Sequence, residues 1–140
     1  MSKVIAISEA AGIGFHSMAL IARSEKPINA TQIAEYTKSS RHHVAKVMQR
    51  LVKSGLINSS RGPAGGFWLN KASEEINLLE IYEAIEGKFE PNSCPLDYHK
   101  CVMGTCILEQ IASSIGKVFK EYLETTSLGD VNKLKFKPLL

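Results

Sequence analysis

The segment LINSSRGPAGGFWLN reads as strand, Gly/Pro turn, strand, and it comes directly after an amphipathic helix; no other feature narrows the fold as far. In that helix Val44, Val47, Met48 and Leu51 recur at i, i+3, i+4 and i+7, giving one apolar stripe that stops at Gly55 in the C′ position. The opposite face carries His42, Ala45, Lys46, Gln49 and Lys53, with Arg41 and Arg50 on its flanks. A short helix precedes it. Asn29 is its N-cap, Gln32 completes a capping box, Ile28 and Ile33 form the staple, and it ends near Thr37. Ser39 or Ser40 caps the next helix. Helix, tight turn, basic helix and hairpin make a winged helix-turn-helix, with the hairpin as the wing. Arg61, at the tip Arg61-Gly62-Pro63-Ala64-Gly65-Gly66, offers a cation on a narrow loop that can enter a minor groove or lie along phosphates.

Charge supports the same reading because it is local. Residues 1–75 hold 10 lysines and arginines against 5 carboxylates, whereas residues 76–140 hold 7 against 9. From Tyr36 to Ser73 there is no aspartate or glutamate. Such a stretch can neutralise phosphates without internal competition.

The flanking chain extends the plan. A first helix starts after Ser8 and runs to about Arg23, with Gly12 and Gly14 as weak points. A fourth opens with Asn77 and Glu80 as capping box and Ile76 and Ile81 as staple, and closes at Gly87. A last helix, about Cys106 to Leu123, spaces Leu108, Ile111, Ile115, Val118 and Tyr122 alternately by 3 and 4, a seam suited to pairing with a second copy. The fold class is therefore mainly α with a small β-hairpin: a winged helix-turn-helix over 1–87, a cysteine-containing sensor loop over 88–106, and a dimerisation helix and tail over 107–140.

Cys94, Cys101 and Cys106 are an odd, clustered set, which argues for a metal or redox role rather than a disulfide framework. Neither interval of C-x6-C-x4-C matches the C-x2-4-C pairs common in zinc sites. Apolar runs fall short of the ~18 residues of a membrane span, and the start lacks a signal-peptide pattern, so a cytoplasmic protein without membrane partners is expected. No P-loop, G-x-S-x-G or H-E-x-x-H motif suggests an enzyme.

These residues together resemble the bacterial winged-helix regulators that include IscR, NsrR, RirA and CymR. The resemblance spans essentially the whole chain, through INATQIAEYTKSSRHHVAKVMQRLVKSGLI, SSRGPAGGFWL, INLLEIYEAIEG and the cysteine loop leading into CILEQI; the wing motif RGPAGGF is its most diagnostic piece. It implies DNA contacts from Ser40, His42, His43, Lys46 and Arg61, beside Arg41, Gln49 and Arg50 of the same helix. In cluster-binding members three loop cysteines hold a [2Fe-2S] or [4Fe-4S] cluster that changes operator affinity, which would assign Cys94, Cys101 and Cys106 as ligands. Those members tend towards C-x5-C-x5-C, so the loop here differs. IscR-like proteins carry a histidine where this chain has Glu109, and the first-helix position used by NsrR-like proteins aligns with Gly12. Candidates for the fourth ligand are thus Glu109, Glu9, His99 and His16.

The expected function is a sequence-specific, homodimeric transcription regulator on a palindromic duplex operator, controlled by an iron-sulfur cluster. The alternatives are the same regulator working as a cluster-free thiol switch, and a small iron-sulfur or zinc metalloprotein without DNA function.

Overall fold

The computed structural model describes residues 7–90 and 101–134. Helices α1 (Glu9–Arg23), α2 (Ala30–Thr37) and α3 (Arg41–Lys53) lead into the hairpin β1 (Ile57–Ser60) and β2 (Gly66–Leu69), then α4 (Leu78–Glu86), α5 (Glu109–Thr125) and α6 (Leu128–Asn132). A single 3-10 turn, Ser73–Glu75, separates the hairpin from α4. Mainly α with one antiparallel hairpin, this is the winged helix-turn-helix read from the sequence.

Local signals set the boundaries. Ser8 accepts from the Ala11 N–H, Ser40 from the His43 N–H, and both Asn29–Gln32 and Asn77–Glu80 close reciprocal capping boxes. Lys38, at φ 54°, turns the chain from α2 towards α3 in a left-handed conformation. The wing pairs Ile57 with Leu69 and Ser60 with Gly66. It is docked a second time, because Phe67 and Ile28 exchange backbone hydrogen bonds of 2.8 and 3.2 Å. The loop before α2 thus adds a third short rung to the hairpin.

The core lies where α1, α3 and α4 meet, with Met18, Ile33, Val44, Met48, Leu51, Ile76 and Ile81 fully buried. The C-terminal helices belong to it. Leu123 and Leu128 join the same cluster, and the Leu128 N–H donates to the Ile76 carbonyl at 2.7 Å. Helix α6 is absent from the sequence reading, although Ser127 and Asp130 form its capping box. Helix α5 begins three residues later than expected: Cys106 to Leu108 form a turn whose Cys106 carbonyl accepts from the Glu109 N–H. Among the described residues no helix is long and apolar enough to cross a membrane.

Candidate functional site

Two surfaces carry the residues singled out by the sequence. The first is the outer side of α3 with the wing. Arg41, His42, Lys46, Gln49 and Lys53 are exposed there, opposite the buried Val44, Val47, Met48 and Leu51. Ser40 caps the helix at its positive end while its hydroxyl hydrogen stays available to an anion. Arg61 is exposed at the wing tip, where Gly65 is obligatory: a Cβ there would stand 2.4 Å from the Ser60 carbonyl oxygen. Lys38, exposed at the turn between α2 and α3, joins this surface. In the sequence it counts only as one cation of the carboxylate-free stretch, because it lies in neither helix.

Two residues of the set also touch neighbouring helices. His43 is half-buried with its Nδ1 3.8 Å from Glu9 Oε1, so it faces α1. Arg50 is exposed, and its Nη1 donates to the Ile85 carbonyl of α4 at 2.8 Å.

The second surface holds the cysteines. Cys101 and Cys106 are free, half-buried thiols at the two ends of one turn. Gly104, at φ 77°, closes that turn by donating its N–H to the Cys101 carbonyl, and the Cys101 thiol lies 3.8 Å from the Thr105 carbonyl oxygen. Cys94 and His99 lie outside the described residues. Among the described residues no three His, Cys, Asp or Glu side chains converge as a metal site. Glu109 is exposed in the first turn of α5, one turn past Cys106. On α1, Glu9 is exposed and the His16 Nδ1 donates to the Gly12 carbonyl at 2.7 Å. Glu9 and His16 share one wall of a cleft of about 390 Å³, with Lys38 and Ser39 on the other. Neither is on the same stretch of surface chain as the cysteine turn. Two thiols suit a thiolate-bound cluster by donor chemistry; the described residues do not single out a fourth ligand.

The stem of the cysteine segment is aromatic. Phe89 packs edge-on against Tyr82 at 5.7 Å between ring centroids and tilted on Phe119 of α5 at 5.4 Å. Burial, with the nearby Glu86 carboxylate adding to it, pushes the Tyr82 phenol above its ordinary value.

The proposed seam residues, Leu108 at the N-cap of α5 and the four within the helix, all face outward. Leu108, Ile111, Ile115, Val118 and Tyr122 are exposed, whereas Ala112, Gly116 and Leu123 are buried against the chain's own core.

Comparison with known proteins gives this arrangement its context. A family model described as "Rrf2: Iron-dependent Transcriptional regulator" matches residues 7–133. The transcriptional regulator NsrR of Bacillus subtilis is 32% identical over 110 residues, covering 76% of this chain and 75% of its own. The protein rrf2 of Nitratidesulfovibrio vulgaris is 28% identical over 109 residues, covering 77% and 73%. Among solved structures, CymR, the global cysteine regulator of B. subtilis, superposes with a TM-score of 0.76 at 25% identity, over 91% of this chain and 96% of that one. These likenesses set aside a metalloprotein without DNA function, and the chain belongs to the Rrf2 family of DNA-binding transcription regulators.

Proposed function

We propose that this regulator acts as a homodimer on a palindromic duplex operator, and that an iron-sulfur cluster held by Cys94, Cys101 and Cys106 controls its affinity. The observation that carries the cluster reading is the pair of free thiols, Cys101 and Cys106, at the ends of a turn that runs into α5. When bound, the cluster supplies one-electron redox and ligand-exchange chemistry. The chain's own part is to hold thiolates in a half-buried turn and to join that turn to the helix whose outer face is apolar.

On the DNA side, Ser40, Arg41, His42, Lys46 and Gln49 face a major groove from the N-terminal half and middle of α3, and Arg61 reaches the adjacent minor groove or phosphates. Glu9, His16, Glu109 and His99 stay as the fourth-ligand set. The apolar face of α5 supports the dimer. It continues into a groove of about 230 Å³ lined by Ile7, Phe15, Phe119 and Tyr122, so two copies would cover apolar surface that one leaves in water. A dimer in the cytoplasm, spanning two half-sites about one helical turn apart, suits a palindrome.

The test is the visible absorbance, iron content and acid-labile sulfide of protein purified without oxygen. A brown protein with roughly two or four irons and equal sulfide per chain, losing its colour but not its fold in Cys101→Ser, supports the cluster. Protein that stays colourless after reconstitution with iron and sulfide overturns it, leaving thiol exchange among the same cysteines as the reading to pursue.

A further inference from the structure

Helix α4 ends just before the segment that carries Cys94, and its last turn is held from three sides. Its Ile85 side chain is buried against α1, where a Cβ on Gly14 would stand 2.0 Å from Ile85 Cδ1; glycine at 14 is what admits it. The same point lies 3.7 Å from Val47 Cγ1 of α3, so Ile85 sits where the three helices meet. Its carbonyl is one of the last four of α4 and has no helical partner, since the Phe89 N–H donates instead to Glu83 Oε2 at 2.8 Å. Arg50 fills that vacancy with a charge-assisted hydrogen bond at the negative end of the helix. The Ser8 hydroxyl donates to Glu86 beside it.

We propose that Arg50 is a positioning residue: it fastens the DNA-facing helix to the end of α4, so that a change in the cysteine segment is passed to α3 through Ile85. The proposal rests on the reading of α3 as the DNA-facing helix. Arg50 stands one turn beyond Lys46 and is exposed, and the Nη1 arm of its guanidinium is engaged with α4. Moving the α4 end therefore pulls on α3 itself. The aromatic packing of Phe89 on Tyr82 and Phe119 ties that end to both the entry of the cysteine segment and α5.

The experiment uses the full chain, wild type and Arg50→Met, with a random-sequence duplex as probe and iodoacetamide to block the thiols. In the duplex titration, Arg50→Met should weaken binding by one common factor at all salt concentrations and leave the salt slope unchanged, whereas Lys46→Ala should lower the slope by about 0.9. In hydrogen exchange, blocking the thiols of the wild type should alter amide protection across α3, and Arg50→Met should lose that response. A slope that falls by about 0.9 in Arg50→Met makes Arg50 a phosphate contact and overturns the proposal. So does an α3 response that survives the substitution, or one that the wild type never gives. If circular dichroism shows Arg50→Met unfolded, Arg50→Leu, which likewise removes both the charge and the donor, carries both readouts. Failure of the wild type to bind duplex at all would sink the DNA-facing reading of α3, while the exchange data would still decide the link between thiols and α3.

Discussion

Gly66 is the residue on which the attachment of the wing depends. It sits at φ 152°, and a Cβ there would lie 2.6 to 2.9 Å from the backbone of Ile28, the segment that Phe67 pairs with. Backbone cannot yield as a flexible side chain can. Gly66→Ala should therefore destabilise the protein by about 2 kcal/mol or more, read as a lower urea midpoint, and an unchanged midpoint would mean the wing is not docked on Ile28. Ser17 is the opposite case. It is fully buried on α1, its hydroxyl finds no hydrogen-bond partner among the described residues, and Ser17→Ala should leave stability unchanged or raise it by about 1 kcal/mol in the same titration. Gly65 and Gly66 are legible in the sequence as turn residues. That one of them is pressed against Ile28 is not, because the pairing joins positions far apart in the chain.

At the scale of elements, what could be read was whatever is written within a few neighbouring residues. Asn29 with Gln32 and Asn77 with Glu80 announce their helices, and Gly55 at φ 83° ends α3 as its position implies. Helix α6 escaped because its five residues hold only Leu128 and Val131 as apolar members, too few to show a period; the Ser127-x-x-Asp130 cap was its one signal. That cap has a pH signature. The Ser127 backbone N–H and then its hydroxyl hold the exposed Asp130 carboxyl below its ordinary value of 3.8. With the folded-state value depressed, the stabilisation is present above pH 3.8 and is lost as pH falls through the folded value. Asp130→Asn should accordingly give a shallower acid limb in thermal melts taken across that range. An acid limb identical to wild type would show that the box does not hold α6 in solution. Arg50 marks where element-level reading stops. Helical spacing puts it on the flank of the basic face, but only the approach of α4 decides that its guanidinium turns to Ile85.

For the whole molecule, the decisive contrast is between the two faces of α5. Sequence spacing alone shows one apolar seam and cannot say what covers it. The structure assigns the chain's own core to the other face, through Ala112, Gly116 and Leu123, and leaves Ile111, Ile115, Val118 and Tyr122 at 42% exposure or more. Burying apolar surface of that extent is the main favourable term in association, and a second copy presents the same seam to meet it. The seam is nearly symmetric about Ile115, so a twofold axis near that residue would bring two copies of it together. A carboxylate at 115 would then be buried beside its twin, which costs far more in the dimer than in the monomer, where the position is open to water. Ile115→Asp should therefore sediment as a monomer with unchanged helical content and melt cooperatively. Its binding to a palindromic duplex should fall much more than its binding to a single half-site, since the second half-site gains from being tethered to the first. A dimer that persists in Ile115→Asp would move the interface off α5. An unfolded monomer would mean that α5 takes its stability from the pairing, in which case the milder Ile115→Ser should show the same dissociation with the fold kept.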